Sequence, residues 1–154
     1  MRVYFLRHGK ATWPNWDKPD DERPLNKKGQ KQTKRMARAL QRFNIRPEVI
    51  LSSPLPRAAQ TAALVAEALD MEVSEEPLLA PGFDATKLST LLQKYNNRDI
   101  MLVGHEPDFS NAVETLTGGV VVMATAGMAA VDVNDVNALD GELVWLLTPT
   151  LLKG

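Results

Sequence analysis

The only two histidines of the chain, His8 and His105, each follow a short apolar segment and lie next to a glycine. Arg7 directly precedes His8, and Arg57 follows a third apolar segment of the same kind. Guanidinium groups present paired N–H donors that match phosphate oxygens, and a neutral imidazole can attack phosphorus to form a phosphohistidine. Two histidines without a cysteine or carboxylate cluster make a poor metal site. These four residues therefore predict a site that binds and cleaves a phosphorylated compound without a metal.

The fold must bring these residues together, and the apolar segments predict how. We expect buried strands at residues 3–6, 49–52 and 100–103, and further strands at 71–74, 120–125, 129–133 and 143–147, the last two antiparallel neighbours. Helices are expected at 26–43 with Asn26 as the N-cap, at 53–69 with Ser53 as the N-cap, and at 87–95 and 107–116. This alternation predicts an α/β protein, a three-layer α/β/α sandwich with a mixed, mainly parallel central sheet.

Right-handed crossovers in such a fold place the turns after the first three buried strands along one edge of the sheet. Ligands of α/β proteins bind at the carboxyl ends of the strands, and helix N-termini there contribute N–H donors and partial positive charge. Arg7, His8, Arg57 and His105 all fall in these turns. Gly9 is expected to let the backbone pass close to the phosphate.

The distribution of charge also indicates an anionic partner. The net charge of the 154 residues is −1, but residues 1–57 contain 14 of the 18 Lys and Arg and five of the 19 Asp and Glu, a charge of +9. The basic run at 27–46 is interpreted mainly as a solvated helix face, and the acids at 20–22 as loop charges. Arg23 is left open as a residue that reaches the phosphate site, and Trp13 and Trp16 are expected to pack the long loop at 9–24.

Composition narrows the function classes further. With 44% hydrophobic and 24% charged residues the sequence is typical of one globular domain spanning residues 1–154. There is no cysteine, which excludes a disulfide framework and a cysteine nucleophile. We expect no signal peptide, and no apolar run approaches the roughly 18 residues of a membrane-spanning helix. We expect a cytoplasmic protein with no cofactor that binds neither membrane nor nucleic acid.

Four segments carry a resemblance to a known family. They are Leu6-Arg7-His8-Gly9, Arg23-Pro24-Leu25-Asn26-Lys27-Lys28-Gly29, Ser52-Ser53-Pro54-Leu55-Pro56-Arg57-Ala58 and Val103-Gly104-His105-Glu106-Pro107. Together they resemble the histidine phosphatase superfamily, whose fold is phosphoglycerate mutase-like, and in particular its SixA-type phosphohistidine phosphatases. The resemblance implies that His8 is the nucleophile and that Arg7, Arg57 and His105 hold the phosphate with it.

The chain departs from larger relatives in the segment between Arg57 and His105, where only 47 residues intervene and no large cap insertion fits. The glutamate that many relatives carry there as proton donor has no match. Glu106 is one candidate for the donor, because another branch places its acid directly after this histidine. Asp84 is a second candidate, and a third possibility is that phosphohistidine needs no donor.

An uncovered pocket favours a phosphate carried on a protein, such as a histidine phosphotransfer domain, with inorganic phosphate as product. The alternatives are a phosphatase of small phosphomonoesters and a module that binds phosphoproteins without hydrolysing them.

Overall fold

The structure, a computed structural model, describes residues 1–152. In this range the chain forms one six-stranded sheet of order β3-β2-β4-β1-β5-β6 and four α-helices. The strands are β1 (Arg2–Arg7), β2 (Val49–Ser52), β3 (Val73–Glu75), β4 (Ile100–Gly104), β5 (Met128–Asp135) and β6 (Asp140–Leu147). The helices are α1 (Lys27–Arg42), α2 (Pro56–Leu69), α3 (Ala85–Lys94) and α4 (Asp108–Thr117), and short 3-10 turns cover Asp20–Glu22, Pro77–Leu79 and Pro149–Leu151.

Helices cover both faces of the sheet, as expected for three layers. Alternate residues of β1 point to opposite faces: Phe5 packs in the hydrophobic cluster with α3 and α4, whereas Leu6 packs in the cluster with α1 and α2. All five residues of β4 are buried, as expected for a central parallel strand covered on both faces. The α/β prediction is therefore confirmed.

The pairing of strands places the site. Strand β4 lies between β1 and β2 and is parallel to both. Arg7 of β1 pairs with Gly104, and Ser52 of β2 pairs with Val103. The ladder continues one residue beyond the strands, because His8 N–H donates to Gly104 O and Ser53 N–H donates to Val103 O, both at 3.0 Å. The turns after these three strands consequently meet at one edge, as predicted.

The expected strand at 120–125 is wrong. Helix α4 ends at Gly118, which adopts a left-handed conformation with φ of 75°, and the following segment has no regular structure up to β5. The position beside β1 is occupied by β5, so this segment has no strand to pair with. Val120 and Val122 are more than 80% exposed, and only Met123 of this group is buried.

The helix caps were predicted with mixed success. Asn26 caps α1 as predicted, since its side chain accepts a hydrogen bond from Gly29 N. Ser53 does not cap α2: the helix begins at Pro56 after Leu55, which contributes no capping side chain. Ser53 is instead fully buried, and its hydroxyl faces a histidine of the site.

Candidate functional site

His8 leaves the end of β1 with its backbone fixed on both sides. Its N–H donates to Gly104 O and its carbonyl accepts from Ala126 N, each at 3.0 Å. The ring Nδ1 lies 2.7 Å from Gly9 O. Because a carbonyl oxygen only accepts, Nδ1 must carry the proton, which leaves the lone pair of the neutral ring on Nε2.

The surroundings of His8 keep its ring neutral. Burial lowers its pKa to about 4, and the positive charges of Arg57, Arg7 and Arg23 act in the same direction, against the hydrogen bond to Gly9. At neutral pH the imidazole is therefore uncharged. A neutral ring with a free Nε2 lone pair is the form that can act as a nucleophile.

His105 follows β4 and is 3% exposed. Its ring centroid lies 5.3 Å from that of His8, and the two ring planes are inclined by 56°. The Nε2 atom is hydrogen-bonded to Ser53 Oγ at 2.8 Å, and Ser53 Oγ accepts a hydrogen bond from Leu55 N at 3.2 Å. Burial lowers the pKa of His105 to about 3, with smaller contributions from His8 and Arg57.

Arg7 and His105 each have a buried nitrogen without a partner. Arg7 donates from Nη1 to Met123 O at 2.8 Å, which gives the irregular segment after α4 a role in orienting the site. Among residues 1–152, Arg7 Nε and His105 Nδ1 are the two buried side-chain polar atoms that make no hydrogen bond. An unmade buried hydrogen bond costs about 1–3 kcal/mol, so both atoms lie where a ligand with acceptor oxygens would be stabilised.

Arg57 lies in the first turn of α2 and is 7% exposed. Its Nη1 donates to the backbone oxygen of Asp20 at 3.3 Å, and its Nη2 is 4.0 Å from Asp20 Oδ2. Because α2 begins just after the turn that follows β2, Arg57 lies at the same edge of the sheet as both histidines. Its positive charge contributes to the lowered pKa of His8, after the larger effect of burial.

Gly9 also has a packing role that sequence analysis did not expect. A Cβ at Gly9 would lie 2.7 Å from Gly29 O of α1, so a larger residue would collide with this helix. Gly9 N–H donates to Thr61 Oγ1 at 3.0 Å, and Thr61 Oγ1 donates to Arg57 O at 2.8 Å. These contacts connect the turn after β1 with both α1 and α2.

Asp20 and Arg23 lie beside Arg57, and of these two residues sequence analysis had considered only Arg23 for the site. Arg23 donates from Nη1 to Ala11 O at 2.6 Å and from Nε to Asp20 Oδ1 at 2.7 Å. After burial, the charge of Arg23 is the next cause that lowers the pKa of Arg57. The Arg-Pro-Leu segment was a signal for Arg23, whereas no sequence signal distinguished Asp20 from its acidic neighbours.

The two candidate proton donors both serve helix N-termini. Glu106 Oε1 accepts a hydrogen bond from Ser110 N at 2.7 Å, in the first turn of α4. Asp84 is the N-cap of α3, where its Oδ1 accepts from Lys87 N at 3.0 Å. Each carboxylate thus has a local structural partner.

Residues 1–152 contain neither a cluster of metal-ligating side chains nor a helix that could span a membrane. Within this range no three His, Asp or Glu side chains are grouped so that they could hold a metal ion. No helix of the same range is long and apolar enough to cross a membrane.

Comparison with known proteins gives consistent results. A model of the histidine phosphatase superfamily, branch 1, matches residues 3–80. An uncharacterized protein of Picosynechococcus sp. is 36% identical over 126 residues, which cover 77% of this chain and 74% of that protein. Phosphohistidine phosphatase SixA of Escherichia coli is 29% identical over 99% of this chain and 97% of its own length. A solved structure of the protein histidine phosphatase SixA complexed with tungstate superimposes with a TM-score of 0.88 at 28% identity, covering 99% of this chain and all of that one.

Proposed function

The chain belongs to the histidine phosphatase superfamily, and from this we propose that it is a phosphohistidine phosphatase that dephosphorylates a phosphorylated protein through a covalent phosphate on His8. Residues 1–154 would form one such domain without a large cap, acting in the cytoplasm. The partner would be a protein such as a histidine phosphotransfer domain, and the second product inorganic phosphate.

The observation that carries this proposal is the pair of unpartnered buried nitrogens, Arg7 Nε and His105 Nδ1. They belong to two of the four residues that the resemblance implies as phosphate ligands. The matching SixA structure holds tungstate, which is a tetrahedral oxyanion like phosphate. In our proposal a phosphoryl group accepts hydrogen bonds from both nitrogens and from Arg57, whose guanidinium supplies the charge that a metal would otherwise provide.

The first chemical step uses the neutral ring of His8. Its Nε2 attacks phosphorus and the bond from phosphorus to the substrate nitrogen breaks. The substrate ring, protonated on its other nitrogen, takes the electron pair and leaves as neutral imidazole. Nδ1 keeps its proton, which is hydrogen-bonded to Gly9 O, so the phosphorylated ring carries the positive charge that the attack creates. Water then attacks phosphorus, releases inorganic phosphate and restores neutral His8.

Ser53 sets the direction in which His105 donates. In our proposal the Ser53 hydroxyl accepts a hydrogen bond from Leu55 N and donates its own hydrogen bond to His105 Nε2. The neutral His105 ring then carries its own proton on Nδ1, the nitrogen without a protein partner. This arrangement makes Nδ1 a donor to a phosphate oxygen without requiring a charged ring.

An imidazole leaving group lowers the need for a general acid. We keep Glu106 as the candidate donor for substrates that require one, and Asp84 as the weaker candidate. A matched comparison of Glu106→Gln and Asp84→Asn on phosphohistidine and on an alkyl phosphate would assign the role, because a true donor affects the ester much more strongly.

An apolar cleft supports a protein substrate. It has a volume of about 450 Å³ and is lined by residues that include Trp13, Leu25 and Leu64. Gln60 also borders the cleft and lies one helical turn after Arg57 on α2. The cleft therefore begins one turn away from Arg57, a residue that we propose binds the phosphate. Side chains next to a phosphorylated histidine on a partner could pack there.

The deciding experiment incubates wild type and His8→Ala with a phosphorylated histidine phosphotransfer domain and with a panel of phosphoesters. Wild type should release phosphate from the phosphoprotein and form a phosphoenzyme that is labile in acid and stable in alkali. His8→Ala should do neither. Full activity in His8→Ala would refute the mechanism, and release from esters but never from phosphohistidine would refute the substrate. Binding of the phosphoprotein with no release from any substrate would support a non-catalytic binding module.

A further inference from the structure

The carboxylate of Asp20 lies within ion-pair distance of two arginines, Arg23 and Arg57. Its Oδ1 accepts from Arg23 Nε at 2.7 Å, and its Oδ2 is 4.0 Å from Arg57 Nη2. The hydrogen bond from Arg23 lowers the pKa of Asp20, so this carboxylate is ionised at neutral pH. Asp20 is also 69% exposed at the level of its side chain, which puts a fixed negative charge on the solvent side of the arginines.

Both arginines have further contacts that hold them in place besides the carboxylate of Asp20, and the hydrogen bond from Arg57 to Asp20 goes to the backbone oxygen, which Asp20→Asn retains. The side chain of Arg57 is 8% exposed and rises from the first turn of α2, where the fold encloses it. Arg23 is held separately by its hydrogen bond to Ala11 O. Removing the charge of Asp20 should therefore leave both guanidinium groups in place, and the main consequence should be electrostatic.

A negative charge at this position acts in opposite directions on different ligands. It repels a phosphate dianion that binds to the same arginines, and it attracts a positive charge on the part of the substrate that extends outward from the phosphate. We propose that Asp20 determines specificity by selecting phosphates whose leaving group is a protonated nitrogen ring over phosphates whose leaving group is a neutral alcohol or phenol. This inference rests on the proposed function, because it assumes transfer of the phosphoryl group to His8.

The chemistry of the two leaving groups explains why this selection is useful. A phosphohistidine ring protonated on its second nitrogen is cationic, and when His8 Nε2 attacks phosphorus the bonding pair returns to the ring, which leaves as neutral imidazole. The positive charge moves to the ring of His8, and no external acid is consumed. An ester leaving as an alkoxide or phenoxide instead carries a negative charge away past Asp20. The carboxylate thus favours the substrate that needs no proton donor.

The test compares Asp20→Asn with Asp17→Asn, which removes an equal charge from an exposed position of the same loop. For each variant, kcat/KM is measured with free phosphohistidine and with phenyl phosphate. We expect the ratio of the two values to fall by about tenfold in Asp20→Asn and to change by less than about twofold in Asp17→Asn. An unchanged or increased ratio in Asp20→Asn, or an equal fall in both variants, would overturn the proposal.

A binding measurement separates this proposal from the proposed function. Titration calorimetry with inorganic phosphate requires no catalysis, and Asp20→Asn should bind it about fivefold more tightly than wild type or Asp17→Asn. Equal or weaker binding by Asp20→Asn would overturn the role of Asp20 even if wild type hydrolyses phosphohistidine. Tighter binding by Asp20→Asn, in a protein that releases phosphate from no substrate, would support the electrostatic role of Asp20 while refuting the catalytic function.

Discussion

Acidification is expected to destabilise the protein through His8. Its pKa is lowered from the ordinary value of 6.5 to about 4 in the folded state, mainly by burial. Between these two values the unfolded chain binds a proton that the folded chain does not. The free energy of unfolding therefore decreases as the pH falls through this window. The contribution of neutral His8 to stability is fully present only above pH 6.5.

The size of the effect follows from the shift. A difference of about 2.5 pKa units corresponds to roughly 3 kcal/mol once the pH is below both values, and about 2 kcal/mol of this is already lost between pH 7.5 and pH 4.5. His8→Gln keeps a polar side chain of similar size but removes the titrating group. We expect the loss of stability between these two pH values to be about 2 kcal/mol smaller in His8→Gln than in wild type.

The measurement is urea denaturation followed by circular dichroism at pH 7.5 and pH 4.5. Titration of the carboxylates and of His105, whose pKa burial lowers to about 3, contributes to both proteins, so the difference between their pH-dependences reports mainly on His8. If His8→Gln lost as much stability on acidification as wild type, the ring of His8 would not be held neutral by burial. The interpretation of His8 as a neutral nucleophile would then lose its physical basis.

Three further outcomes are expected. Ser53→Ala removes the partner of His105 Nε2 in a buried position, and should lower the free energy of unfolding by about 1–3 kcal/mol and kcat/KM by about tenfold, measured by urea denaturation and phosphate release. Gly29→Ala should prevent correct packing, because its Cβ would overlap Lys10 O, whereas the Cβ of the matched control Gly119→Ala would make only an ordinary contact. Thermal unfolding compares the two variants, and equal melting temperatures would contradict this geometry. If His8 is the nucleophile as we propose, the pH profile of kcat/KM should lose activity on its acid side near pH 4 and not near 6.5, because burial lowers the pKa of His8 to about 4; an inflection near 6.5 would contradict this.

Sequence analysis was most successful where a local pattern has one physical solution. The strand at 49–52 was predicted to the residue, since a short run of β-branched and apolar residues between polar residues is typical of a buried strand. Asn26 was predicted as a cap because its side chain can satisfy an N–H at the start of a helix. The convergence of Arg7, Arg57 and both histidines followed from the handedness of the crossovers.

The failures have a common cause, which is competition between distant parts of the chain. Val120 and Val122 belong to a run that favours a strand, but β5 already pairs with β1 and leaves no edge for it. Ser53 has the chemistry of a helix cap, but a histidine more than 50 residues away provides a better partner for its hydroxyl. Asp20 contacts Arg57, which lies 37 residues later in the chain, and nothing in the local sequence indicates that contact.

The order of the strands has a consequence for how the site comes into existence. In β1, Val3 pairs with Ile100 on one side and with Val131 on the other, so the first strand of the chain finds both neighbours only among residues about 100 positions later. Such distant pairing is slow to form, because a large part of the chain must be ordered before the contact is made. During synthesis Arg7 and His8 would leave the ribosome long before the strands that hold them. The affinity for phosphate that we propose should therefore appear as one of the last events of folding, and would report that the whole sheet is complete.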